Sequence, residues 1–200
     1  MKTANPTSGF TAPILRTVLS LVSLCGAAWS HAEVRETLDY EYYDAPVASG
    51  QSLLAALNSA SPIREDGRTF HGHTKWHVRW NFWWQENRDR SCRITSVKTS
   101  VTTTITLPRI SGGTSAQKSE FQRFSAALKE HELGHSDNGK KAAEAVERAI
   151  LAMPEMTDCK RLETATNETG RRVIREHNEK DKRYDAETRH GRNQGAWLER

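Results

Sequence analysis

The chain lacks an apolar run long enough to span a membrane. The N-terminal stretch TVLSLVSLCGAAW, residues 17–29, falls short of the ~20 residues a spanning helix needs. Cysteine is scarce, with three in the whole sequence and none in a CxxC pair, which argues against a thiolate-zinc or redox site. No internal repeat and no low-complexity linker appears, so neither a repeat array nor a tethered second domain is expected. Neither sign of charge prevails: 29 basic residues stand against 25 acidic ones. That balance excludes a strongly basic nucleic-acid binder, and no nucleic-acid partner is expected.

What the N-terminus does have is Lys2 and Arg16, no acid, a short apolar core, and small residues at Ser30 and Ala32. This reads as a secretory signal peptide over residues 1–32, cleaved after Ala32. An uncleaved anchor is the alternative, and lipid attachment at Cys25 a lesser one, because the bulky Leu24 suits it poorly. Losing Lys2 and Arg16 takes the formal net charge from +4 to +2, so part of the basicity belongs to the leader. Residues 33–200 are then one mature domain, exported to the periplasm or medium, with no stable membrane insertion once the leader is gone. In that oxidising setting Cys92 and Cys159 are expected to form a disulfide tying a central hairpin to a helical half.

Residues 34–43 read as a first strand, and Ser49–Asn58 as a short Ser-capped helix. Thr74, Trp76, Val78, Trp80, Phe82 and Trp84 alternate with Lys75, His77, Arg79 and Asn81, a strand with one aromatic, buried face and one basic, wet face. The turn NRDRS leads into a threonine-rich strand from Arg93 to Leu107, which Pro108 is expected to stop. From Ser115 the spacing becomes helical through Phe124, Leu128, His131, His135, Val146 and Ile150, with a break allowed near Asp137–Gly139 and an end at Pro154. A second helix is expected from Thr157 or Asp158 to about Tyr184. The predicted fold is α+β: antiparallel strands with a long hairpin, then a helix pair.

Inside the first long helix stands His131-Glu132-Leu133-Gly134-His135, an HExxH motif. Residues i and i+4 stack on one helix face, so two imidazoles can meet one Zn2+ at about 2.0–2.1 Å, while Glu132 beside them serves as general base toward a water. A chance HExxH is expected in roughly one or two of every hundred such chains. The alternative is two surface histidines flanking a solvated glutamate.

A catalytic zinc site takes a third protein ligand. The extended pattern HExxHxxGxxH fails here, with Asn138 and Lys141 where glycine and histidine are required. Glu168 faintly resembles the glutamate of a thermolysin-like second helix. If the two helices turn back near Pro154, positions 171–179 lie level with the histidines, which brings in Glu176 and His177. His190 follows the helix and can return over the metal.

Several segments together resemble a family of bacterial secreted zinc-dependent proteases first catalogued as a domain of unknown function. They are YYD at 42–44, DGRTFHGHTKWHVRW at 66–80, CRI at 92–94, TLP at 106–108, HELGH at 131–135, Cys159, and YDAETRHGRNQGA at 184–196. The resemblance implies a zincin-type zinc metallopeptidase in the bacterial envelope, with a protein or peptide substrate, and it favours His190 as third ligand over Glu168. Tyr184 is then a candidate oxyanion stabiliser and Asp185 a candidate orienter of a ligand histidine. Two other functions remain open: a zinc-binding envelope module without catalysis, and a cell-wall or polyanion-binding protein using the basic strand and Trp83. His71 and His73, two residues apart, read as surface residues before a second metal site.

Overall fold

The computed structural model describes residues 34–199. The leader expected over residues 1–32, its cleavage point and Cys25 lie outside them. Among the described residues no helix is long and apolar enough to cross a membrane.

The domain is α+β. Strand β1 (Arg35–Val47) leads to helix α1 (Leu53–Ala60) and a two-rung hairpin, β2 (Arg64–Glu65) and β3 (Arg68–Thr69). Strands β4 (His73–Glu86) and β5 (Cys92–Gly112) follow, then the helices α2 (Ser115–Leu151) and α3 (Cys159–Thr188) and a single 3-10 turn at Arg192–Gln194. Each helix start has a side chain on an otherwise unpaired N–H. Ser52 accepts from Ala55 N, Thr114 and Gln117 cap each other reciprocally, and Asp158 accepts from Arg161 N at 2.8 Å.

The sheet order is β1-β5-β4. β4 and β5 form the expected antiparallel hairpin, but β1 pairs with β5 in parallel, from Arg35 opposite Ser100 to Val47 opposite Gly112. The expected all-antiparallel arrangement is therefore corrected. β1 and β4 do run in opposite directions, but they are not neighbours. The tight turn after β4 inserts β5 between them, and the returning strand matches β1 in direction. Pro108 does not stop β5. The last β4 partner is His73, opposite Thr106, so at Pro108 β5 has only β1 beside it and its other side is a free edge, where proline is tolerated. Trp83 is 46% exposed, as alternation implies; Trp84 keeps to the face of Phe82, with ring centroids 5.7 Å apart, but is still 41% exposed toward the end of the strand, where the register with β5 shifts.

Helix α2 runs unbroken through Asp137–Gly139. The glycine there serves close approach, since a Cβ at position 139 would lie 2.6 Å from Cγ of Trp76. Gly170 on α3 seats Trp80 in the same way, with Cζ2 2.7 Å from a would-be Cβ. The aromatic face of β4 is thus packed onto the two helices, as its alternation implies.

Two apolar clusters hold α2 against the sheet. One joins Leu53, Leu57, Ile105, Phe124 and Leu128; the other joins Val78, Val101, Val146, Ile150 and Val173. Burying one such leucine or valine contributes about 1.5–3 kcal/mol. The turns of α2 between the clusters carry buried polar residues, His131, Glu132, His135 and Ser136. The HELGH segment is therefore fixed from both ends by apolar packing.

Cys92, the first residue of β5, is bonded to Cys159, the first of α3, as expected from the sequence. Backbone bonds between Cys92 and Met156 brace the same corner (2.8 and 2.9 Å). The bridge spans 67 residues, for which chain entropy gives about 4 kcal/mol of stabilisation. Chemical denaturation of Cys92→Ser/Cys159→Ser is expected to show a loss of that order, and an unchanged midpoint would contradict it.

Candidate metal centre

His131 and His135 leave α2 on the face turned toward α3, and their rings meet edge to face with centroids 4.9 Å apart. Both are buried, at 3% and 8% exposure. Asp185, from the last turns of α3, completes a group whose donor atoms all lie within 4.8 Å of one another and which can hold a metal ion. Its Oδ1 lies 3.2 Å from Nε2 of His131 and 3.2 Å from Nε2 of His135.

The other nitrogen of each ring is engaged elsewhere. Nδ1 of His131 lies 2.9 Å from Gln194 Oε1, and Nδ1 of His135 lies 3.0 Å from Asp181 Oδ1. Both partners are acceptors, so each Nδ1 carries the hydrogen, and a neutral ring then presents its Nε2 lone pair. Two such lone pairs and a carboxylate oxygen converge on one point, which repels unless a positive charge sits there. A metal cation or a proton meets that need. At His135 the surroundings favour the protonated ring. Burial alone would lower its pKa, but hydrogen bonds to Asp181 and Asp185 outweigh this and push it up to about 10. Burial likewise works to raise the Asp185 carboxyl, and the hydrogen bonds from His131 and His135 override it, holding it well below the usual carboxylate range.

Glu132 points the other way, toward β4. Thr74 donates its hydroxyl to Glu132 Oε2 at 2.7 Å. Oε1 lies under the backbone of Gly72, where a Cβ would collide with it and would also come within 2.9 Å of Leu128 Cδ1. Burial pushes the Glu132 carboxyl up, against the Thr74 hydrogen bond and the charges of His131 and His135. A cavity of about 280 Å³ opens beside these groups, lined by Glu132, His131 and Asp185 and by the apolar Phe70, Phe124 and Leu128.

The remaining sequence candidates divide. His190 lines the same cavity, its Nδ1 3.3 Å from Asp185 Oδ1 and its ring 4.8 Å from Phe70, but it stands outside the three-residue group. Glu168 lines a separate groove with Glu155 and Arg161, about 25 Å along α3 from Asp185. Glu176 faces solvent and pairs with Arg172, while His177 bonds Asn138. Tyr184 stacks flat on His131 (5.0 Å, 12°). Its hydroxyl reaches His131 O and Gln194 above Gly134, on the groove behind α2, so it packs the ring instead of facing the cavity. His71 bonds Asn58, and His73 lies exposed at the cavity rim.

The level of the helices explains the difference. α3 begins only at Cys159, after the Met156 link to β5, so Asp181 and Asp185 lie beside His135 and His131, about two turns beyond the positions a hairpin turning at Pro154 selects. Sequence reasoning missed Asp181, Thr74, Gly72 and Gln194. One signal was present: Asp181 and Asp185 share the i,i+4 spacing of His131 and His135.

The fold and this cluster define an α+β domain whose helix-borne HExxH meets a carboxylate from a neighbouring helix. The chain belongs to the family described as bacterial protein of unknown function (DUF922), whose profile matches residues 40–191. Neither a curated protein nor a solved structure matches the chain.

A histidine raised above its unfolded pKa of 6.5 contributes stability that is full below that value and lost as pH climbs through about 10. NMR titration of the metal-free protein is expected to show His135 titrating near pH 10, with the thermal midpoint falling across the same window. Ordinary titration of His135 near 6.5 would refute the arrangement.

Proposed function

We propose that the protein is an exported zinc-dependent hydrolase of peptide bonds with a zincin-like centre. His131, His135 and Asp185 hold the metal, and Glu132 is the general base. The observation that carries this reading is the meeting of two Nε2 atoms on one carboxylate oxygen, beside a buried glutamate and an open cavity. The 3.2 Å separations agree with donors sharing one tetrahedral ion, which at zinc bond lengths of about 2.0–2.1 Å stand about 3.3–3.4 Å apart. Two imidazoles and one carboxylate are also a donor set that catalytic zinc takes, with a fourth position left for exchange.

Zinc so held supplies Lewis acidity, polarising a carbonyl and making water a nucleophile near neutral pH. Glu132 supplies the proton traffic. With Oε2 held by Thr74, Oε1 receives the proton of the attacking water as its oxygen bonds the carbonyl carbon. The same oxygen returns the proton to the amine nitrogen as the C–N bond breaks. Phe70, Phe124 and Leu128 give the cavity an apolar wall suited to a side chain flanking the scissile bond. The leader pattern and the Cys92–Cys159 bond support export.

The test is metal content and hydrolysis of unfolded protein substrates by the purified domain. About one zinc per chain is expected in the parent and in Glu168→Ala, and none in His131→Ala or Asp185→Ala. Glu132→Gln is expected to keep zinc and lose hydrolysis by at least ~10²–10⁴-fold. Zinc lost in His190→Ala but kept in Asp185→Ala would move the third ligand to His190. A folded, metal-supplemented parent without zinc would sink the reading.

A further inference from the structure

The two imidazoles are backed by unlike groups. Gln194, whose Nε2 donates to the Tyr184 hydroxyl at 2.9 Å, offers His131 a neutral acceptor. Asp181 offers His135 a charged one and is itself held by three donors from two elements. Trp76 Nε1 of β4 donates to its Oδ2 at 2.7 Å, Asn138 Nδ2 of α2 donates to its Oδ1 at 2.8 Å, and His135 Nδ1 completes the set. Asn138 is fixed in turn, accepting from His177 Nδ1 at 2.8 Å and donating to His177 O at 2.9 Å. A carboxylate with both oxygens so engaged has no freedom to rotate, and its charge is met without a lysine or arginine partner.

Resting on the zinc reading above, we propose that Asp181 and Gln194 are the positioning residues of the centre, fixing both histidines with Nε2 toward the ion. Asp181, clamped by Trp76 and Asn138, is the stronger of the two. A charged acceptor at Nδ1 makes the opposite nitrogen a better donor than a neutral amide does, and the clamp prevents the His135 ring from turning. α3 therefore carries both a ligand, Asp185, and one turn earlier the group that aims a ligand. The indole of Trp76 belongs to the same device, although it touches neither histidine through a hydrogen bond.

The test measures zinc affinity of the oxidised protein by chelator competition, together with ¹⁵N NMR of the histidine rings in the metal-free state. Asp181→Ala is expected to weaken zinc about 10–100-fold and to abolish the exchange-protected Nδ1–H of His135. Asp181→Asn, which keeps one acceptor oxygen, recovers part of the loss. Gln194→Ala costs less than Asp181→Ala, and Gln194→Glu restores binding. Trp76→Phe leaves the ligands intact and weakens zinc several-fold, a change that packing alone does not produce if circular dichroism and the unfolding midpoint are kept. Unaltered affinity and an unaltered ring signal in folded Asp181→Ala would overturn the proposal. A parent that shows the protected Nδ1–H but takes up no zinc would retain the positioning role and discard the zinc reading.

Discussion

The site depends on a single oxygen atom. Asp185 Oδ1 sits between the Nε2 atoms of His131 and His135, while both Nδ1 atoms are committed as donors to Gln194 and Asp181. With those donors fixed, the centre holds a cation, or a proton, or else the carboxylate and the imidazoles repel. Much of the surrounding structure keeps that geometry in place. α3 delivers Asp181 and Asp185 at the height of the histidines, Tyr184 lies flat on His131, and the segment after α3 returns with Gln194 and buries Leu198 near Phe124 and Leu128.

Burying two histidines and a glutamate in mid-helix is costly unless each finds a partner. The apolar clusters on either side of HELGH hold the helix in position, and the partners come from elsewhere in the chain: Thr74 from β4, Asp181 and Asp185 from α3, Gln194 from the 3-10 turn. Glycine makes the approach possible where the segment leading into β4 crosses Glu132. Gly72 brings the backbone onto Glu132 Oε1, so the His-Gly-His segment owes its place at the site to its central residue.

Local pattern was enough to read much of this. Helical spacing around HELGH, the β4–β5 alternation and the Cys92–Cys159 pair were all legible, because each follows from periodicity or from a short inventory of partners. The parallel seat of β1 was not, since strand pairing across an inserted strand leaves no mark in either strand's own alternation. Gly139 misled for a similar reason: Asn-Gly reads locally as a break, yet the ring of Trp76, far away in sequence, needs the missing side chain. The third member of the cluster was hidden by stagger. Whether residue 168, 177, 185 or 190 meets the histidines depends on how far α3 slides along α2, which is set at the other end of the helix by Cys159 and the Met156 bridge.

The separation of Asp185 from His135, 50 residues along the chain, bears on how the centre comes into being. During synthesis the HELGH helix emerges well before its carboxylate partner. For that interval the paired histidines have neither their counter-charge nor their Nδ1 acceptors. The helix pair must close before the cluster exists, so its assembly waits on the last part of the chain to fold.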